Sequence, residues 1–148
     1  MAKIRVTKEF RFEMAHALHN YNGLCKNIHG HSYIMYVTVM GEPDANPENS
    51  DYGMVIDFSE LKSVVNREIV KPFDHSVVIS KRAGEDYISR VKEITNRYFI
   101  VPYQPTCENL LLDFVERVTK VLPFKVKLYS LRLYETAGSF AEWYADDN

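Results

Sequence analysis

Phe10, Phe12, Met14, His16 and Leu18 alternate with Arg11, Glu13, Ala15 and Ala17. Period-two alternation predicts a strand over roughly residues 4 to 18, with one apolar face that includes His16. A polar loop from His19 to Gly30 leads into a second strand, His31 to Gly41. There Tyr33, Met35, Val37 and Val39 point one way and Ile34, Tyr36 and Met40 the other, so both faces call for cover. Gly41 to Pro47 reads as loop and turn. Asp57, with Glu60 three residues on, predicts a capping box for a helix that gathers Phe58, Leu61, Val65 and Ile69 on one face and ends at Pro72. Residues 84 to 97 fit a short amphipathic helix, and Phe99-Ile100-Val101 a small strand. Thr106 is the expected N-cap of a second firm helix, which turns Leu110, Leu111, Phe114, Val118, Val121 and Leu122 inward and stops at Pro123. Strands from Lys125 to Thr136 and from Phe140 to Ala145 follow.

Strands on either side of a helical middle predict an α+β layer: an antiparallel sheet with helices on one face. An apolar second face would form a large exposed patch, so a partner subunit is the natural cover. The length of 148 residues suits one domain. A hydrophobic fraction of 46% and a charged fraction of 26% match a soluble globular chain. The net charge of −2 leaves no polybasic footprint, which argues against nucleic acid as the partner. No apolar run reaches the roughly 18 residues of a membrane span, and the first residues lack a signal-like apolar core, so the expected location is cytoplasmic. Cys25 and Cys107 are then expected to be free thiols.

The sharpest local feature is His29-Gly30-His31. In extended backbone, residues i and i+2 project to one side, so two imidazoles can reach one ion. Gly30 lets the backbone come close. His16, on the apolar face of the neighbouring strand, can supply a third nitrogen. Three histidines without an obvious fourth protein ligand form the open pattern of catalytic zinc. Cys25, four residues before His29, has three readings: a fourth ligand in a closed structural site, a base or nucleophile beside the metal, or an inert loop thiol. Asp74-His75 pairs a carboxylate with an imidazole, but adjacent residues on a strand point apart, so the pair needs a turn. Glu135, at the end of the third long strand among Tyr129, Leu131 and Leu133, is either an exposed terminal charge or a carboxylate able to grip an amide-like edge through two bonds.

Together these segments resemble the 6-pyruvoyl-tetrahydropterin synthase family. The matching pieces are Phe12-Glu13-Met14-Ala15-His16, Cys25-Lys26-Asn27-Ile28-His29-Gly30-His31, Met54-Val55-Ile56-Asp57-Phe58, Phe73-Asp74-His75, Pro105-Thr106-Cys107-Glu108-Asn109 and Tyr134-Glu135-Thr136, six in the family's order. The resemblance implies a tunnelling fold: a four-stranded antiparallel sheet with two main helices on one face, assembled as two stacked trimers. It implies Zn2+ on His16, His29 and His31, Cys25 as the proton-abstracting thiol, and Asp74 with His75 as the supporting pair. It implies Glu135 as the pterin anchor, with Thr106 and Glu108 lining the pterin pocket. The three residues between Cys25 and His29 are typical of the branch that forms 6-carboxy-tetrahydropterin for queuosine biosynthesis; a pyruvoyl-forming synthase and a zinc-stabilised binding module are the alternatives. Two features depart from the pattern. The segment from about Lys81 to Tyr103 is longer than in compact members, which leaves open how a substrate triphosphate is held. Cys107 stands where a serine or alanine is usual and is expected to pack in a first helical turn.

Overall fold

The computed structural model describes residues 2–148. Its centre is a long antiparallel ladder. β1 (Ile4–His16) and β2 (His29–Gly41) pair along their whole length, from Ile4 opposite Gly41 to His16 opposite His29. The second strand therefore begins two residues earlier than its hydrophobic pattern suggests. His29 and Gly30 extend the ladder because backbone pairing does not need apolar side chains.

The expected four-stranded antiparallel sheet is corrected to a mixed sheet of six strands in the order β4-β3-β1-β2-β5-β6. β5 (Val126–Thr136) and β6 (Ser139–Tyr144) continue the antiparallel run beyond β2. On the other side, β3 (Ser76–Ser80) pairs parallel to β1, and β4 (Tyr98–Val101) parallel to β3. The short run Ser76–Ser80 carries little periodicity of its own. It forms because Val78 faces the main core while Ile79 faces away from it.

α1 (Phe58–Val65) opens with Asp57, whose carboxylate accepts from the Ser59 amide at 2.7 Å. Ser59, not Glu60, answers the cap. Pro72 does not end the helix where the sequence suggests. The chain passes through a π-helical stretch, Asn66–Val70, into a last turn, α2 (Lys71–Phe73). The wider turn sets Pro72 at the start of a new helical segment, where a missing N–H costs little. α4 (Cys107–Thr119) is capped by the Thr106 hydroxyl, which accepts from the Asn109 amide at 3.2 Å. It ends at Thr119, before Val121 and Leu122.

α1 and α4 cover one face of the sheet through Leu61, Val65, Leu110, Phe114 and Val118, packed on Phe10, Phe12, Met35, Val37 and Leu131. Phe73 joins them, stacked on Phe99 at 4.3 Å and edge-on to Phe114 at 5.0 Å. The expectation that all helices lie on one face is also corrected. α3 (Glu85–Ile94) sends Val91 against Ala17 and Ile79, a small second core on the opposite side of the β3–β4 end. The rest of that opposite face is mixed: Ile34, Tyr134 and Phe140 run across β2, β5 and β6, with Tyr134 and Phe140 rings 4.5 Å apart and Phe140 exposed, beside polar contacts. Thr7 and Thr38 bond at 2.7 Å, Arg5 lies 3.9 Å over the Tyr129 ring, Tyr36 donates to Glu9, and Arg132 pairs with Glu142. Charged neighbours on β1 and β5 dilute the apolar residues of β2, so the second face is part aromatic and part polar, not uniformly apolar. Among the described residues no helix is long and apolar enough to cross a membrane.

Candidate metal centre and its flanking groups

The ladder register places His16 opposite His29, and His31 projects to the same side two residues on. Ring centroids lie 4.6 Å apart for His16–His29, 5.0 Å for His29–His31 and 5.2 Å for His16–His31. One ring nitrogen from each falls within 4.8 Å of the other two. His16 is fully buried, at 1% exposure, at the far end of the core stripe that begins at Phe10.

Two of the rings have their tautomers set by backbone. His16 Nδ1 meets the Pro105 carbonyl at 2.7 Å, and His29 Nδ1 meets the Asn27 carbonyl at 2.7 Å. A carbonyl only accepts, so each Nδ1 carries the proton and each Nε2 presents a lone pair. Those two Nε2 atoms face one another at 3.1 Å. Glu135 Oε1 lies 3.2 Å from His16 Nε2 and 3.3 Å from His31 Nε2. His31 Nε2 is shielded from solvent without a well-formed hydrogen bond. Acceptors converging on one point repel unless a cation sits among them. The donor set therefore fits a divalent metal held by three imidazoles with a coordination position to spare.

Burial holds the His31 imidazole below its usual pKa, against the pull of Glu135. A hydrogen bond from the His16 ring, which requires a proton on Nε2 and so belongs to the form without a cation, holds the Glu135 carboxyl below the ordinary carboxylate range, although partial burial opposes the shift. Both shifts favour a neutral ligand beside an ionised carboxylate, the forms that bind metal. Tyr33 closes the floor of the site. Its ring lies 5.7 Å from His31 and 6.4 Å from His16, and its buried hydroxyl has no partner among the described residues.

Cys25 sits in a short 3-10 turn, Leu24–Lys26, and is exposed. The group of converging ligand atoms contains the three histidines and not this thiol. Its loop is tied down by the Leu18 amide, which donates to the Cys25 carbonyl at 2.9 Å, and by Gln104, which brackets His19 through its side-chain amide at 3.1 and 2.7 Å.

Asp74 and His75 form the pair that adjacent residues reach only through a turn. His75 takes a left-handed backbone conformation with φ 59°, and its Nδ1 lies 2.9 Å from Asp74 Oδ2. The other Asp74 oxygen accepts from the Glu13 amide at 2.8 Å, while the His75 amide donates to the Glu13 carbonyl at 2.6 Å. Burial raises the Asp74 carboxyl, but the bonds from Glu13 and His75 outweigh it and leave the group below its usual value. His75 and His31 line one cavity of about 350 Å3, together with Ser32 and Ser76.

Thr106 spends its hydroxyl on the helix cap, and Glu108 stays exposed in the first turn of α4. Cys107 packs as expected: its thiol donates to the Leu133 carbonyl at 3.3 Å, and burial pushes its pKa up to about 12. Arg97 carries no motif signal, yet its guanidinium donates to the carbonyls of Lys71 at 2.8 Å, Pro72 at 3.2 Å and Asp74 at 2.7 Å. It caps α2 and braces the Asp74–His75 turn. Only the tertiary approach of residue 97 to residue 74 reveals it.

Comparison with known proteins adds a lineage to this geometry. The family model described as 6-pyruvoyl tetrahydropterin synthase matches residues 5–146. A Haemophilus influenzae protein named 6-carboxy-5,6,7,8-tetrahydropterin synthase is 34% identical over 94% of this chain and 97% of its own. A protein of the same name from Aquifex aeolicus is 29% identical over 95% and 98%. Among solved structures, an uncharacterized protein from Wolinella succinogenes superposes with a TM-score of 0.75 at 20% identity, covering 98% of this chain and 99% of that one. Caenorhabditis elegans 6-pyruvoyl tetrahydropterin synthase superposes with a TM-score of 0.68 at 22% identity, covering 98% and 97%. At such identities the structures speak to fold alone.

Proposed function

The chain belongs to the 6-pyruvoyl tetrahydropterin synthase family, and from that premise we propose that it is a zinc-dependent lyase. It converts 7,8-dihydroneopterin triphosphate and water to 6-carboxy-5,6,7,8-tetrahydropterin, acetaldehyde and triphosphate. The observation that carries the reading is the convergence of His16, His29 and His31 beside an ionised Glu135. Three neutral imidazoles with a free position suit zinc. When bound there, zinc supplies Lewis acidity toward the hydroxyls of a substrate side chain.

The remaining roles fall to side chains around the cluster. Glu135 presents its carboxylate to the amino-pyrimidine edge of the pterin and so fixes the side chain over the histidines. Thr106 and Glu108 belong to the same pterin-binding segment. Cys25, on the loop that leads into His29, takes a proton from the substrate side chain as a thiolate. His75, oriented through Nδ1 by Asp74, returns protons through its other nitrogen from the cavity it shares with His31. Exposure of Cys25 and His75 leaves both accessible to a substrate.

The curated relatives named for the carboxy product, and the three-residue spacer between Cys25 and His29, favour that product over the pyruvoyl one. On this reading the reaction serves queuosine, or 7-deazaguanine, biosynthesis in the cytoplasm, as the resemblance to that branch implies. Trimers stacked in pairs are the assembly that the family implies. The closed four-ligand alternative finds no support, since the Cys25 thiol stands outside the ligand group.

Mass spectrometry of the products made by zinc-loaded protein from 7,8-dihydroneopterin triphosphate tests the reading. 6-Carboxy-tetrahydropterin with acetaldehyde is the expected result. A pyruvoyl product keeps the site and changes the branch. No turnover with zinc bound overturns the substrate.

A further inference from the structure

A second cavity, of about 490 Å3, opens where the loop after β1 meets the segment after β3. Its floor is apolar, with Ala17 and Ile79 among its residues, while its walls carry His19, Asn20, Asn22, Lys26 and Tyr87. Among the described residues no carboxylate lines it. The turn Lys81–Ala83 contributes Ala83 to one wall and carries two further cations, Lys81 and Arg82. Glu85 and Asp86 begin α3 close by in sequence, but neither is in the lining. The bonds that hold the loop run through the backbone of Leu18, Tyr21 and His19, the Gln104 amide and the Asn27 side chain, which donates to the Leu24 carbonyl, so His19, Asn20, Asn22 and Lys26 keep their side chains for the cavity. A donor-rich, acid-free cavity with an ammonium group complements a polyanion.

Its position narrows the choice. Ala17 follows His16 directly, and the Asn27 carbonyl that orients His29 belongs to another lining residue. The sheet order puts Glu135 on β5, the histidines on β2 and β1, and this cavity over the end of β1 and β3. Pterin anchor and metal ligands lie on the main core side, and the cavity, floored by the second core, opens around the end of β1 from them, so that across the strands the order is anchor, ligands, cavity. Ring, hydroxylated side chain and phosphates follow in the same order along a pterin triphosphate.

We propose that the cavity between the Cys25 loop and α3 binds the triphosphate end of the substrate, with Lys26 as its principal charge; this rests on the substrate reading above. The longer segment after β3 then acquires a role, since Ile79, Ala83 and Tyr87 build the wall that closes the cavity. Lys26 is a binding residue, not a member of the proton-transfer group.

The test titrates zinc-loaded protein with inorganic tripolyphosphate by calorimetry, in excess magnesium to saturate its chelating capacity, with zinc content measured afterwards. Lys26→Ala is expected to weaken tripolyphosphate about tenfold or more, the scale of a hydrogen bond to a charged group. Lys26→Arg restores binding, and Tyr87→Ala weakens it from the opposite wall. Unphosphorylated 7,8-dihydroneopterin binds wild type and Lys26→Ala alike. In turnover, Lys26→Ala raises KM for the triphosphate and leaves kcat near wild type. Tripolyphosphate binding that is absent in wild type, or unchanged in Lys26→Ala, overturns the assignment, as does equal loss of dihydroneopterin. Normal turnover with an unaltered KM in Lys26→Ala sinks only the cavity; no turnover by wild type sinks the substrate reading itself.

Discussion

The molecule holds its functional imidazoles in two contrasting ways. His16, His29 and His31 stand on a continuous antiparallel ladder, and two of them are locked by backbone carbonyls at 2.7 Å. His75 stands exposed on a left-handed turn, held by Asp74 on one side and, through the carbonyls that Arg97 grips, by a segment more than twenty residues away. The first arrangement is rigid because the scaffold is periodic and buried. The second is a local turn, held by hydrogen bonds that involve Glu13, Asp74 and Arg97 rather than by a ladder, and it leaves the imidazole exposed. A metal site needs fixed donors at one point; a proton shuttle needs a group that solvent and substrate can both reach.

The contrast is broken most severely by removing a ladder imidazole. His31→Ala should lower zinc affinity by more than about a hundredfold, beyond the 10–100-fold typical of losing an outer partner. Competition against a chromogenic chelator measures this, with circular dichroism expected to show the fold retained.

Cys107 tests how firmly the ladder is seated on α4. Its thiol is buried and neutral, with a pKa raised to about 12 from an unfolded value near 9. The stability from keeping it protonated is complete below pH 9 and is lost as pH rises toward 12. The loss is on the order of a few kcal/mol at the alkaline end. Cys107→Ala should flatten that alkaline slope in urea melts, and an unchanged slope would assign it to other groups. At pH 8 a thiol reagent should label the exposed Cys25 and leave Cys107 until the protein unfolds.

Arg97→Ala addresses the turn. Freed of its three carbonyl partners, the Asp74–His75 pair should lose its fixed orientation. Turnover is then expected to fall about tenfold through kcat, with zinc stoichiometry unchanged. Arg97→Lys should recover only part of the loss, since an ammonium group cannot span the same carbonyls. Full activity in Arg97→Ala would show that the turn holds itself.

The smallest effect concerns the floor of the ladder site. The Tyr33 hydroxyl is buried without a partner among the described residues, a cost that Tyr33→Phe removes. The variant should be more stable by about 1 kcal/mol, read from the urea midpoint. A loss of stability would reveal a partner that forms only when the site is filled.

Local periodicity by itself determined the ladder strands, both helix caps, the shared side of His29 and His31 and the placing of His16 on the core face. Each of these follows from strand and helix geometry over a few residues. For Glu135 the local pattern left two readings open, an exposed strand-end charge or a gripping carboxylate, and only the fold brought it to 3.2 Å from His16 and 3.3 Å from His31. Beyond local pattern lay the strand β3, its parallel pairing with β1 and with the expected small strand β4, the passage of the helix through Pro72, the mixed character of the second face, Arg97 beneath the Asp74–His75 turn and the cavity beside Lys26. These depend on which segments meet: β3 is a strand because β1 offers it a free edge, and Arg97 is a cap because β4 returns beside α2. Short-range pattern encodes the direction in which a side chain points. Only the assembled sheet order decides what it meets there.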